Sequence, residues 1–233
     1  MSEVELTPTQ RYAAGVERGD WQNDPAQHAA LAELDRIHLA LVDSAEDGWL
    51  DRLSSFWKKP EPVKGLYFWG GVGRGKTFLV DLFYDGLPIE QKYRTHFHRF
   101  MRGIHERLRE HQGQSDPLAR IAQEWRAKLR VLVLDEFFVN DIGDAIILGR
   151  LFQVLFEHGV VIVATSNQPP EQLYADGFNR ERFLPAIDAL LDRLADNERM
   201  LSASCTALAA ALPGSRPALP AAQWLLDNAD DLF

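Results

Sequence analysis

The chain has 233 residues, of which 46% are apolar, and a formal net charge of −9. These values predict a globular protein with one sizeable core and exclude a wholly disordered chain. The negative charge disfavours a general nucleic-acid binder, which needs a basic surface to displace phosphate counterions. The single cysteine, Cys205, cannot form an internal disulfide. The acidic start of the chain and the shortness of its apolar runs predict a cytoplasmic protein without a signal peptide.

The first 62 residues predict a helical segment. Residues 1–23 are polar and show no clear period. Asp24 and Pro25 are typical of a helix start. The apolar positions that follow at helical spacing are Leu31, Leu34, Ile37 and Leu41. A short helix is predicted for Trp49 to Trp57, and the prolines within residues 58–62 indicate a linker.

Apolar strands alternate with helices between residues 63 and 190. The predicted strands are Gly65 to Trp69, Tyr93 to Phe97, Val131 to Leu134 and Val160 to Ala164. The predicted helices are Thr77 to Tyr84, a basic helix up to about Glu110, Pro117 to Ala127, and one capped by Asp141 that runs through Phe156. Continuous apolar strands separated by helices predict an α/β fold with a parallel sheet covered by helices on both faces.

The composition changes towards the C-terminus. Residues 200–223 contain eight Ala, three Pro and three Ser, and they have little helical or strand period. We therefore expect three regions, which are a helical segment at 1–62, an α/β core at 63–190 and a poorly ordered tail at 191–233.

Residues 70–77 match the phosphate-loop pattern G-x-x-x-x-G-K-[ST] at every fixed position. Glycines let backbone N–H groups turn towards phosphate oxygens, and the following helix adds the positive end of its dipole. Lys76 is expected to neutralise the β- and γ-phosphates, and the Thr77 hydroxyl is expected to ligate Mg²⁺. The predicted nucleotide-binding residues are Gly70, Gly71, Val72, Gly73, Arg74, Gly75, Lys76, Thr77 and Phe78.

Two carboxylates follow the apolar strand that begins at Val131. Ligands bind at the carboxyl ends of strands in open α/β sheets, so Asp135 and Glu136 are expected to face the nucleotide. Asp135 is the predicted Mg²⁺ residue, acting through the water shell of the ion. Glu136 is the predicted catalytic residue that orients and polarises the attacking water.

Two further catalytic residues are predicted beyond the last strand. Asn167 follows that strand and is expected to touch the γ-phosphate and the attacking water, although Asn-x-Pro-Pro also favours a simple turn. Arg180 is the predicted arginine that reaches the γ-phosphate of a neighbouring subunit, with Arg182 as the second choice. A solvated helix face is the alternative interpretation for both arginines.

Residues 92–111 form a basic segment with six Lys or Arg, four His and two Glu. His96 and His98 would share one face of a strand, which is weak support for a metal site because no third ligand is in view. A polar strand face near the phosphates is the favoured interpretation. The basic helix could bind nucleic acid, a protein partner or nothing.

Several stretches outside the generic nucleotide motifs carry a family resemblance. They are residues 24–27, 65–77, 96–101, 135–142, 165–167 and 183–187. With them, the sequence resembles the AAA+ ATPases that comprise the bacterial cell-division ATPase ZapE and its mitochondrial AFG-type relatives. The resemblance runs from the N-terminus to about Ile187. After about Leu190 the sequence departs from the family, which continues into a helical lid with a second sensor arginine.

The resemblance implies a P-loop NTPase of the AAA+ type whose helical lid is incomplete or absent. It implies an ATPase that uses ATP and Mg²⁺, remodels a protein assembly and destabilises FtsZ polymers in cell division. The expected partners are FtsZ or other division-ring proteins, together with copies of the chain itself. The expected location is cytoplasmic, with at most peripheral contact at the inner membrane near the division site.

Two alternatives stay open at this stage. The first is a nucleic-acid-associated AAA+ loader that uses the basic segment from Arg94 to Arg109. The second is a truncated form that binds ATP and turns it over slowly.

Overall fold

A computed structural model describes residues 6–46, 63–73, 75–113, 115–175, 177 and 180–196. The α-helices in these ranges are α1 (Pro8–Arg18), α2 (His28–Glu46), α3 (Lys76–Gly86), α4 (Phe97–Glu110), α5 (Pro117–Lys128), α6 (Ile142–Glu157) and α7 (Leu184–Arg193). The strands are β1 (Gly65–Trp69), β2 (Lys92–His96), β3 (Val131–Asp135), β4 (Val161–Ser166) and β5 (Leu194–Asp196). Short 3₁₀ helices cover Pro25–Gln27, Pro170–Gln172 and Arg180–Arg182.

The five strands form one sheet in the order β2-β3-β4-β1-β5, and every neighbouring pair is parallel. Trp69 at the end of β1 is level with Ser166 at the end of β4. On the other side of β4, Leu134 near the end of β3 is level with Ala164. The residues that follow β1, β3 and β4 therefore meet at one edge of the sheet, as the sequence predicted.

Alternate residues of the three central strands, β1, β3 and β4, face opposite layers of helices. In β3, for example, Leu132 and Leu134 join a core with α4, α5, α6 and α7, whereas Val131 and Val133 join a core with α1, α2 and α3. All four side chains are fully buried. This alternation confirms the prediction of a parallel sheet covered on both faces.

The N-terminal segment contains a helix that the sequence analysis missed. Thr7 caps α1 through a reciprocal capping box with Gln10, and Gly19 ends the helix with a left-handed φ of 80°. Tyr12 of α1 is 3% exposed and packs in the same core as the sheet. The described part of the segment at 1–62 therefore forms a helical layer that packs on the sheet.

Two other boundaries differ from expectation. The expected boundary at residue 190 falls inside α7, and β5 extends the sheet to Asp196 by pairing with β1. β2 ends at His96, so Phe97 begins a helix and does not end a strand. The predicted helix at 49–57, the linker at 58–62, Arg74 and residues 197–233 lie outside the described residues, as do the expectations about the lid and the tail. No helix among the described residues is both long and apolar enough to cross a membrane.

His38 of α2 is a buried polar group in the core below α1. It is 3% exposed, and its Nδ1 atom has no hydrogen-bond partner among the described residues. Burial lowers the pKa of His38 below its usual 6.5; the charges of Arg11 and Lys92 act in the same direction, and that of Asp35 opposes them. Folding therefore favours the neutral imidazole.

This histidine predicts how stability depends on pH. Because the pKa of His38 is lower in the folded state, the unfolded chain binds the proton more readily. The free energy of unfolding should therefore fall as the pH drops from 6.5 towards the folded-state pKa. We expect the urea-unfolding midpoint of His38→Leu to depend less on pH across this range than that of the parent. In His98→Gln, a change at an exposed position, the midpoint should depend on pH as it does in the parent. An unchanged pH dependence in His38→Leu would contradict the assignment.

Candidate active site

The phosphate loop connects β1 to α3, and its glycines adopt conformations that other residues avoid. Gly73 and Gly75 have φ values of 78° and 80°. Gly75 is the N-cap of α3, and no side chain caps this helix. The first N–H groups of α3 therefore lack a capping acceptor and can bind an anion.

Lys76 lies across the phosphate loop and reaches the neighbouring strand. Its Nζ donates to the carbonyl oxygens of Gly70 at 2.6 Å and Gly71 at 3.0 Å. The same atom donates to Oδ1 of Asn167 at 3.1 Å. The predicted phosphate-binding lysine is the first residue of α3, and the predicted sensor asparagine follows β4. The structure thus brings these two residues together. The lysine therefore joins the phosphate loop to the end of β4.

The two predicted acidic residues at the end of β3 have different environments. The Asp135 side chain is 11% exposed, whereas the Glu136 side chain is 75% exposed. Glu136 has a φ of 56°, in the left-handed region that non-glycine residues rarely adopt. Its N–H donates to Oγ1 of Thr165 at 3.1 Å, and this bond helps to hold the turn. The strained turn directs the glutamate away from the strand and out of the core, as strained residues at functional sites often do.

Thr165 and Ser166 join the ends of β3 and β4, and the sequence analysis assigned them no role. The Thr165 hydroxyl donates to Oδ1 of Asp135 at 3.3 Å, and the Thr165 carbonyl accepts from the N–H of Phe137 at 2.6 Å. The Ser166 hydroxyl donates to the Phe137 carbonyl at 2.8 Å. These side chains are buried and fix the loop that carries Glu136. A run of Thr-Ser-Asn after an apolar strand was the signal that could have indicated them.

Arg94 of β2 is a second residue that sequence reasoning missed. Its Nε donates to Oδ2 of Asp135 at 2.6 Å, and its Nη1 donates to Oδ1 of Asp81 on α3 at 2.5 Å. The three side chains are between 11% and 22% exposed. Burial alone would lower the pKa of Arg94, but its hydrogen bonds and charge interactions with Asp135 and Asp81 outweigh burial and raise it. One guanidinium therefore orients Asp135 and ties β3 to the helix of the phosphate loop.

The two histidines of the basic segment do not share a strand face, which corrects the sequence interpretation. His96 is the last residue of β2, and His98 lies in α4. Their rings stack on each other with centroids 5.8 Å apart. Nδ1 of His96 lies 3.8 Å from Oε2 of Glu136. Among the described residues no group of three or more His, Cys, Asp or Glu side chains could hold a metal ion. His96 is thus a neighbour of the predicted catalytic glutamate.

The remaining predicted nucleotide-binding residues differ in what they can contribute. The ring of Phe78 packs against Trp21 at 4.9 Å and Tyr12 at 6.2 Å between ring centroids, so its side chain belongs to the core. Phe78 can therefore offer a nucleotide its backbone N–H. The Val72 side chain is 86% exposed at the tip of the loop. Arg74 lies outside the described residues.

Arg180 contacts its own chain in this structure. Its Nη2 donates to the carbonyl oxygen of Glu171 in the 3₁₀ helix Pro170–Gln172. The residue is half-buried, at the start of the 3₁₀ helix Arg180–Arg182 that leads into α7. To reach a neighbouring subunit, the guanidinium would first have to leave the Glu171 carbonyl.

The donor set at this edge fits Mg²⁺. Thr77 supplies an exposed hydroxyl at the N-terminus of α3, and Asp135 supplies a carboxylate at the end of β3. Magnesium prefers such oxygen ligands, binds through one or two carboxylates with substrate phosphates, and keeps several waters. Asp135 already accepts from Arg94 and Thr165. Contact through the ion's water shell suits a carboxylate that is already hydrogen-bonded.

The AFG1-like ATPase family model matches residues 6–196, which include every described helix and strand. The chain belongs to the AFG1-like ATPase family. It is 49% identical over 195 residues to the cell division protein ZapE of Escherichia coli (strain K12), and this match covers 79% of this chain and 52% of ZapE. An uncharacterized protein of Schizosaccharomyces pombe is 37% identical over 221 residues, which are 81% of this chain and 49% of that protein.

Solved structures of low sequence identity share the fold. The match to the crystal structure of DnaI has a TM-score of 0.53 and 19% identity, and it covers 77% of this chain and 84% of that chain. The fold of this AFG1-like ATPase is therefore that of the P-loop AAA+ proteins, as predicted. The chain spans about half the length of the curated relatives ZapE and the Schizosaccharomyces pombe protein.

Arg94 predicts a stability effect that can be measured. Arg94→Met removes the shared counterion of Asp81 and Asp135, whose carboxylates are both largely buried. We expect the free energy of unfolding in urea to fall by up to about 3 kcal/mol, near the lower end for breaking a buried ion pair. The matched control is Arg18→Met, since Arg18 pairs with Asp20 at an exposed site. The control should cost less than about 1 kcal/mol. Equal losses in the two variants would contradict a special role for Arg94.

Proposed function

We propose that this AFG1-like ATPase binds ATP with Mg²⁺ and hydrolyses it to ADP and phosphate. The observation that carries the proposal is the position of Lys76, whose Nζ contacts the phosphate-loop carbonyls and Asn167 together. Asp135 and Glu136 emerge from β3, which pairs with β4 directly before Asn167. Family membership and the cluster of phosphate-loop, carboxylate and amide groups support this activity.

The residues of this chain would divide the work as follows. Lys76 exchanges its carbonyl acceptors for β- and γ-phosphate oxygens, and the N–H groups at the start of α3 bind the same anion. Glu136, exposed and held by its left-handed turn, orients the attacking water and accepts its proton. Asn167 stays within reach of Lys76 and hydrogen-bonds to the γ-phosphate or the water. Thr77 and Asp135 hold Mg²⁺, which neutralises phosphate charge when it is bound.

The proposed use of the hydrolysis cycle is to remodel a protein assembly. The name of the 49% identical relative refers to cell division, which supports a role for this chain in the same process. The finer proposal is that the target is FtsZ or another division-ring protein and that the chain destabilises FtsZ polymers. We place this action in the cytoplasm, at the division site near the inner membrane. Copies of the chain would assemble so that Arg180 of one reaches the γ-phosphate of the next.

Two substitutions separate binding from hydrolysis. Lys76→Ala should abolish binding of a fluorescent ATP analogue, because it leaves the phosphate charge uncompensated. Glu136→Gln should bind the analogue as the parent does and lose hydrolysis by about 10²–10⁴-fold, the usual contribution of a general base. Phosphate release and analogue fluorescence measure the two steps.

Glu106→Gln serves as the control for the glutamate, since Glu106 is an exposed residue of α4. It should keep the parent rate. Hydrolysis at the parent rate by Glu136→Gln would refute the role of Glu136, and analogue binding by Lys76→Ala would refute the nucleotide site.

The role of Arg180 in trans has its own test. If Arg180 acts on a neighbour, activity per molecule should rise with protein concentration, and Arg180→Ala should hydrolyse ATP more slowly. Mixing Arg180→Ala with Lys76→Ala should restore part of the activity, because one protein supplies the arginine and the other the intact phosphate loop. Turnover that is independent of concentration, with no rescue on mixing, would leave Arg180 as a residue that only binds the Glu171 carbonyl.

A further inference from the structure

A cleft of about 880 Å³ lies beside Glu136, between α4 and the loops that follow β3 and β4. Its volume is within the range of ligand pockets, roughly 300–1,000 Å³. Glu136 and Asn167 line it, whereas none of the lining residues belongs to the phosphate loop. The nucleotide would therefore approach Glu136 from the phosphate loop, and a second ligand could approach it from this cleft.

One face of α4 supplies the positive wall of the cleft. The lining residues His98, Arg102, His105 and Arg109 are spaced by four, three and four residues, so they form one stripe along the helix. Arg102 and Arg109 are exposed, and neither guanidinium has an ion-pair partner among the described residues. They lie two helical turns apart, a separation of about 10 Å. By contrast, Nε2 of His105 already contacts Oδ1 of Asp144 at 2.6 Å.

The floor and the rim of the cleft are apolar. Phe97, Met101 and Phe137 line it and are buried at 5%, 3% and 1% exposure. Phe138 lines it as well and is 48% exposed, so its ring is open to a ligand in the cleft. The wall from the β4 end contributes Asn167 and Gln168, whose amides can both donate and accept hydrogen bonds. The cleft thus combines two free cations, an exposed aromatic ring and amide groups.

We propose that this cleft binds an acidic polypeptide segment of a partner protein. Carboxylates of the segment pair with Arg102 and Arg109, an apolar side chain covers Phe138, and the amides bind its backbone. The distance of about 10 Å between the arginines corresponds to about three residues of an extended peptide. The inference deepens the proposed ATPase function, because it assigns a partner class to the other side of Glu136.

A nucleic acid fits the cleft less well. A nucleic acid binds a protein through many phosphate contacts. The cleft offers two arginines that are unpaired among the described residues, together with the carboxylates of Glu136 and Asp144. Single-stranded nucleic acids also stack successive bases on aromatic rings, and among the phenylalanine rings that line this cleft Phe138 alone is exposed. Charge complementarity therefore favours a short acidic segment over a nucleic-acid backbone.

The test uses the full chain and a short fluorescein-labelled peptide in which Glu occupies every third position and Leu or Phe the positions between. Anisotropy should show saturable binding that weakens with salt, and the peptide with Gln in place of Glu should bind more weakly. Arg102→Gln/Arg109→Gln should weaken binding by about 5- to 30-fold, as the loss of two ion pairs implies. The matched double variant Arg18→Gln/Arg99→Gln removes the same charge outside the cleft and should change affinity less than about 2-fold, within the scatter of surface pairs.

The following outcomes would overturn the proposal. Absence of saturable peptide binding, or equal effects of the two double variants, would show that the cleft does not bind acidic segments. Tighter, Arg102- and Arg109-dependent binding of labelled oligothymidylate would assign the cleft to nucleic acid. A change of oligomeric state in Arg102→Gln/Arg109→Gln alone, measured by light scattering, would assign it to a second copy of the chain.

Peptide binding is measured without nucleotide, so it can fail while the ATP analogue still binds, or succeed when the analogue does not bind. Where both bind, the saturating peptide should alter the rate of phosphate release, because it contacts the residues that act on the attacking water. An unchanged rate with the peptide bound would show that the cleft is not coupled to Glu136.

Discussion

Hydrogen bonds to Thr165 hold the ends of β3 and β4 together at the edge of the sheet. Its hydroxyl donates to Asp135 and accepts from the N–H of Glu136, while its carbonyl accepts from the N–H of Phe137. A parallel ladder fixes the height of strand ends but does not direct the first residues beyond them. Thr165 supplies that direction, because the left-handed backbone of Glu136 would be costly without such partners. The separation of a buried Asp135 from an exposed Glu136 follows from this junction.

Charge compensation completes the site before any nucleotide arrives. Arg94 forms ion pairs with Asp81 and Asp135. Lys76 donates hydrogen bonds to two carbonyl oxygens and to one side-chain amide oxygen. Both cations are therefore bound, but their acceptors differ in strength. The carbonyl and amide oxygens that contact Lys76 are neutral, whereas Arg94 contacts two carboxylates, which form stronger hydrogen bonds with a cation.

Local patterns in the sequence sufficed for much of the fold and of the site. Two examples are the apolar β1 followed by a glycine-rich loop, and the N-cap of α6 at Asp141. Each of these patterns spans only a few residues. Arg94 could not be predicted, because its partner Asp135 is 41 residues away and meets it only through the strand order. Helix α1 was a different failure, since its capping box at Thr7 and Gln10 was present in the sequence. The three-residue strand β5 is too short for any periodic pattern to identify.

Glu136 stands between two spaces, the nucleotide side at the phosphate loop and the cleft along α4. Its side chain is exposed, and Nδ1 of His96 lies 3.8 Å from its Oε2 atom. A ligand in the cleft would change the solvent and the charge around this carboxylate directly. Coupling between such a ligand and hydrolysis would then need no rearrangement of the sheet, whose strand ends are fixed by Thr165 and Arg94. The junction and the exposed glutamate are complementary features, because the hydrogen bonds fix the backbone of Glu136 while its side chain stays open to a nearby ligand.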